Sequence, residues 1–207
     1  MIRWFAAVTL LATAAWAEGR IFYSKSFPGS NPAYVEMTLE RNGKVVYKES
    51  AEDEQPVKFE MAAEDTEQIF ALAQKLDHFS RQLESGLNVA KMGEKTFRWE
   101  DPPKKNEVKY NYSMDLDARA IQDWFEKMSE TVQLYLYLER AVKFDKLGTN
   151  KVLLLIQAAM DRNRVVGGAQ FLPLLDRVIK NDSYLNMARE RAAGIAATIR
   201  AGKPKAE

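Results

Sequence analysis

Along the first third of the chain, apolar and polar residues alternate with a period of two, which is the signature of strands with one face buried. Ile21 to Ser26 is short, aromatic and β-prone, and Phe27 to Pro32 (Phe-Pro-Gly-Ser-Asn-Pro) breaks any regular structure. Val35, Met37 and Leu39 then alternate with Glu36, Thr38 and Glu40. Asn42-Gly43 follows, the strongest short signal for a hairpin, because both central positions of its turn need positive φ. A two-residue turn there sets Arg41 against Lys44, Leu39 against Val46 and Thr38 against Tyr47. Val35, Met37, Leu39 and Val46 are then expected on the core face, and Tyr34, Thr38, Val45 and Tyr47 on the opposite one. Alternation resumes through Val57, Phe59 and Met61, predicting a third meander strand from Pro56 to Met61.

The period then lengthens. Ile69, Ala73 and Leu76, with Phe70 beside them, predict a helix from about Ala63 to Leu76, starting at Ala62 or with an Asp65/Gln68 capping box. Residues 77–95 read as a long loop that Leu83, Leu87 and Val89 tuck down, and loops of that length are often functional. A second hairpin follows, with Phe97 and Trp99 on one strand, Val108, Tyr110 and Tyr112 on the other, and a turn within residues 101–106. From Asp115 onward only helices are predicted. A long one carries Ile121, Phe125, Met128, Val132 and Tyr135 and runs to about Phe144. Three more span roughly Asn150 to Arg162, Phe171 to Lys180, and a segment capped by Asn181-Asp182-Ser183 that runs to Arg200.

These elements define an α+β protein: an antiparallel sheet of about five strands packed on helices, followed by an all-helical cap or lobe. The expected division is 1–17, 18–114 for the sheet with one helix, 115–201 for the helical region, and 202–207 as a tail. The helices of residues 171–193 are similar to one HEAT-type unit, but a solenoid needs several, so they read as a cap that covers the second face of the sheet.

Composition narrows the setting. Arg3, the apolar run Trp4 to Ala15 and Ala15-Trp16-Ala17 form the three-part pattern of a secretory leader, which predicts export to the periplasm or medium, cleavage after Ala17 and no transmembrane segment thereafter. The chain has no cysteine, so disulfides and thiolate metal sites are excluded. With 30 Lys+Arg against 29 Asp+Glu, nothing general attracts it to nucleic acid.

Catalytic patterns are thin. His78 is the one histidine, with Asp77 and Ser80 near it, and no Gly-x-Ser-x-Gly elbow occurs. Asp115-Leu116-Asp117 lacks the further ligands of a calcium loop and reads as an acidic helix start; Glu52-Asp53-Glu54 reads as a solvated turn; Gly167-Gly168 lacks the lysine of a phosphate loop. No cofactor or metal site is expected. Amphipathic aromatics on an open sheet face suit recognition, so Tyr34, Thr38, Val45 and Tyr47 are the candidate partner-binding residues.

The segment Phe22 to Tyr34, the run Val35 to Tyr47, and Phe144 to Gly148 with the helix of residues 174–178 resemble a set of uncharacterised exported bacterial proteins. The order of elements in the N-terminal half more loosely resembles small cystatin-like or inhibitor-like domains. The resemblance implies no activity or site residues. The expected function is an exported, non-catalytic binding protein for a protein or envelope component; the alternative is an exported hydrolase working through carboxylates alone.

Overall fold

The computed structural model describes residues 19–202, so the leader, its cleavage site and most of the short tail lie outside the described residues. Six strands form one antiparallel sheet: β1 (Arg20–Ser26), β2 (Tyr34–Leu39), β3 (Lys44–Lys48), β4 (Val57–Glu60), β5 (Glu94–Asp101) and β6 (Lys104–Tyr110), in the order β4-β3-β2-β1-β5-β6. Helix α1 (Ala63–Lys75) carries the chain from the β4 edge to the other side of β1. The chain ends in α2 (Leu116–Phe144), α3 (Thr149–Asp161), α4 (Leu172–Ile179) and α5 (Asn186–Ala201). No described helix is long and apolar enough to cross a membrane.

The α+β class stands, with six strands rather than about five. The long helix starts where its sequence says: the Asp115 side chain accepts from the amides of Asp117 and Ala118, two of the donors a helix start leaves unpaired. Helix α1 takes the earlier start, with Ala62 as its N-cap. Asn181-Asp182-Ser183 does not cap the last helix. The Asn181 carboxamide oxygen accepts from the Ser183 amide at 3.0 Å, a local turn that competes with helix capping, and α5 begins three residues later at Asn186.

The first hairpin differs by one residue from the register expected of Asn42-Gly43. Leu39 pairs with Val45 and Met37 with Tyr47. The turn holds three residues, Arg41, Asn42 and Gly43, with Gly43 at φ +85° as the bulge residue. The Gly43 carbonyl also accepts from the Met61 amide at 2.8 Å, and a Cβ at Gly43 would lie 2.8 Å from the Met61 oxygen, so this stitch to the end of β4 needs glycine. Because side chains alternate, one residue of slip exchanges the faces of all of β3. Val45 and Tyr47 therefore point into the core, each 1% exposed, and Val46 points out.

One face of the sheet carries the main core. Ile21, Tyr23, Met37, Tyr47, Phe97 and Tyr110 pack under Ile69 and Phe70 of α1 and under Ile121, Phe125 and Met128 of α2. Tyr23 stacks on Phe125 with ring centroids 4.8 Å apart, and Phe97 stacks on Phe79 at 4.9 Å. The second half of α2 enters a different cluster, in which Leu138 and Val142 meet Ile156, Phe171, Leu175 and Ala192. The C-terminal helices thus extend from the far end of α2 and do not cover the second sheet face, contrary to expectation. Helices on one side only are common for antiparallel sheets, whose other face tolerates water.

Candidate functional site

The uncovered face is built from the outward positions of all six strands. One row across the sheet reads Lys58, Val46, Thr38, Phe22, Arg98 and Glu107, as the pairings of β4 through β6 dictate. Phe22, Thr38 and Val46 form its half-buried middle, and the Arg98 guanidinium lies 4.3 Å from the Phe22 ring centroid. Ion pairs border it. Arg98 holds Glu107 at 2.7 Å and Glu100 at 3.3 Å, Arg20 holds Glu100 from the neighbouring strand, and Lys48 lies 3.6 Å from Glu36. Burial pushes the Glu100 carboxyl up, but Arg20 and Arg98 outweigh it and leave the group below its ordinary range.

Of the four sequence-predicted face residues, Tyr34 and Thr38 are on this surface and Val45 and Tyr47 are not. The Tyr34 hydroxyl donates to Glu36 at 2.7 Å; burial first, then that carboxylate, push its pKa up to about 12. Tyr47 is tied into the core side, where its hydroxyl accepts from Gln133 at 3.0 Å and lies 3.3 Å from Glu49. Sequence reasoning missed Phe22, Val46 and Arg98. The alternation of β1 carried the signal for Phe22; its meeting with Arg98 depends on the β1–β5 pairing, between residues far apart in the chain.

On the helix side, an open cleft of about 450 Å³ lies between the loop before β2 and the middle of α2, with Tyr23, Lys25, Glu126, Ser129, Gln133 and Tyr137 among its lining residues. Lys25 Nζ is 3.4 Å from a Glu126 oxygen, which also accepts from Gln122 at 2.9 Å. Lys25 is the cross-strand partner of Lys95, which is 2% exposed. Burial, then the Lys25 charge, push the Lys95 pKa down, and its ammonium donates to the carbonyls of Gly93 at 3.1 Å and Asn111 at 2.6 Å. Lys95 thereby fastens the end of the long loop. Glu84 fastens its middle by accepting from the Asn111 amide at 2.6 Å, and that bond holds its carboxyl below the ordinary range. The loop of residues 77–95 is a pinned structure along β6.

The remaining candidates resolve into structural roles. The His78 ring packs 4.3 Å from Trp99, and no hydrogen bond among the described residues joins it to Asp77 or Ser80. Asp115 caps α2 and pairs with Arg81 at 2.7 Å, while Asp117 pairs with Lys75 at 3.3 Å. Asp53 accepts from the Gln55 amide at 2.9 Å within its turn. Gly167, at φ +57°, lies where a Cβ would meet the Glu60 carbonyl at 2.9 Å, which explains the glycine by packing. No group of three metal-ligating side chains occurs among the described residues.

Comparison of the sequence with models of protein families finds none that matches, and no curated protein matches it.

Proposed function

We propose that the chain is an exported, non-catalytic interaction protein that engages a protein or envelope partner through the outer face of its sheet. The observation that carries this reading is the placement of every described helix on one side of the sheet or beyond its end. The other side is left as a firm, uncovered surface with an apolar middle at Phe22, Thr38 and Val46 and a border of both charges. An apolar centre with a polar rim is the anatomy of a protein interface, and side chains held by cross-strand pairs lose little freedom on binding. Tyr34 and Arg98, residue types enriched where binding energy concentrates, sit beside that centre.

The test is site-specific crosslinking in the native host from Thr38 on the outer face and from Glu67 on the exposed side of α1. A discrete adduct from Thr38, absent from Glu67 and reduced by Phe22→Lys, is expected. The same products from both positions, or none from Thr38, refute the reading.

A further inference from the structure

The outer face of the sheet carries its charges in an order that a second copy of the same face can answer. Beside the row with the apolar middle, another runs from β4 to β6 as Glu60, Lys44, Glu40, Arg20, Glu100 and Lys105, alternating in sign throughout. Strand pairing sets these positions, and the Glu40 amide, donating to the Lys44 carbonyl at 2.9 Å, adds Glu40 beside Lys44. Opposite charges on neighbouring strands stabilise a sheet, and Arg20 with Glu100 is such a pair. That does not account for the two ends. Glu60 on β4 and Lys105 on β6 make no ion pair among the described residues, nor does Lys58 two residues before Glu60. They stand on opposite edges, five strand spacings or about 24 Å apart, too far to serve each other within one chain.

A two-fold axis running along the strands between β1 and β2 brings each row onto itself in reverse order. In the charged row Glu60 of one protomer then meets Lys105 of its partner, Lys44 meets Glu100, and Glu40 meets Arg20. In the apolar row Lys58 meets Glu107, Val46 meets the stem of Arg98, and Thr38 meets Phe22 on both sides of the axis. In the third row Glu36 meets Ser24 and Lys48 meets Thr96, while Lys109 falls by Pro56 at the acidic turn of residues 52–54. Glu94, diagonal to Lys109 on the same face, shares that corner with it. Across these three rows no like charges meet. The shape also fits, because such an axis carries a twisted sheet onto one of the same hand, and the two saddles stack at even separation.

We infer that the occupant of the outer face is a second copy of this chain, stacked on it about that axis. This rests on the reading of the face as an interface and names its partner. Six strands about 4.8 Å apart, meeting over about five residues at about 3.3 Å each, present about 480 Å² in plan. A standard interface buries about 800 Å² of accessible surface on each partner, so the dimer belongs to the weak, concentration-dependent class.

The test uses the chain from Glu18 onward, the expected product of leader cleavage, which contains every described element. Analytical ultracentrifugation across the micromolar range should show a monomer–dimer equilibrium that shifts to monomer as salt rises. Glu60→Lys and Lys105→Glu should each weaken it about tenfold, because two attractions per dimer become two repulsions, and the double variant should restore it. Restoration between residues on opposite edges of one sheet can come only through another copy. Phe22→Lys, which sets two charges at the axis, should leave monomer alone, and Glu67→Lys on α1 should change nothing. Circular dichroism should show all variants folded, since the altered side chains point away from the core. A parent chain that stays monomeric, a dimer indifferent to Phe22→Lys, or single reversals that the double variant does not restore overturns the inference. A monomeric chain that still gives a discrete adduct from Thr38 in the native host removes only the second copy as occupant, and loss of the adduct as well removes the face.

Discussion

Thr131 sits on α2 where the sheet-side core gives way to the helical cluster, and replacing it with valine tests whether the two are coupled. Its hydroxyl is completely buried, donates to the Lys127 carbonyl at 2.8 Å and accepts from the Val166 amide at 3.1 Å. Val166 belongs to the sheet-side core, and Arg164 just before it bonds Glu130 at 2.8 Å and Asp123. Valine keeps the shape and the helix propensity but cannot accept, so the Val166 amide is left buried without a partner, at a cost of about 2 kcal/mol. With a urea dependence of about 2 kcal/mol per molar, the unfolding midpoint should fall by about 1 M. Thr131→Ser keeps both bonds and loses one methyl, about 1 kcal/mol. Urea titration followed by circular dichroism and by tryptophan fluorescence gives the midpoints, and amide exchange at Val166 reports the bond itself. A valine variant within about 0.5 kcal/mol of the parent, with the Val166 amide still protected, would refute the argument.

Three further outcomes are expected. Gly43→Ala forces a side chain into the left-handed region against the Met61 carbonyl, so it should cost at least about 1–2 kcal/mol in urea unfolding; a loss under about 0.5 kcal/mol would show that the turn relaxes freely. The buried Tyr23 hydroxyl has no hydrogen-bond partner among the described residues, whereas the Tyr110 hydroxyl lies 3.1 Å from the Gln122 carboxamide oxygen. Tyr23→Phe should therefore leave the midpoint unchanged or raised while Tyr110→Phe lowers it by about 1 kcal/mol, and the reverse order would contradict the assignment. Glu84, Glu100 and Asp123 have lowered carboxyl pKa values in the folded state, so their contribution is fully present above the ordinary carboxylate range and is lost as pH falls through the folded values. Unfolding midpoints should drop on acidification, and Asp123→Asn, which removes the carboxylate held by Lys127 and Arg164, should make that drop smaller; an unchanged slope would remove Asp123 from the account.

The elements were readable because each rests on local signals. The 3.6-residue spacing from Ile121 to Tyr135 and the Asp115 cap specify α2 without help from distant residues, and the structure ends it at Phe144 as the pattern predicts. The partner of each element was less readable. Whether the C-terminal helices lie over the sheet or beyond it depends on which side of α2 faces each cluster, and Leu134, Leu138 and Val142 continue the apolar stripe with no break to mark the handover from Met128 and Val132. Lys95 is a second case. A lysine in an alternating strand reads as solvent-facing, but two backbone carbonyls and the long loop bury it, and those contacts join residues 93, 95 and 111 in a way no local pattern encodes.

The candidate surface shows how far a single turn residue reaches. Asn42-Gly43 permits either a two-residue turn or a three-residue turn ending in a glycine bulge, and both satisfy the glycine's positive φ. The composition of β3 favours the second, because Lys44-Val45-Val46-Tyr47-Lys48 buries Val45 and Tyr47 in the bulged register but would turn Lys44 and Lys48 inward with Val46 in the other. The end of β4 adds to this: the Met61 amide needs an acceptor, and the bulged turn presents the Gly43 carbonyl to it. The bulged register places Tyr47 inward beside Gln133 and Val46 outward with Thr38 and Phe22. The outer face, expected from the sequence to carry Tyr34, Thr38, Val45 and Tyr47, is therefore built on Phe22, Thr38 and Val46 beside Arg98, with Tyr34 on the same surface. Substitutions meant to probe binding belong at Phe22 and Val46, since those at Tyr47 would report on the core.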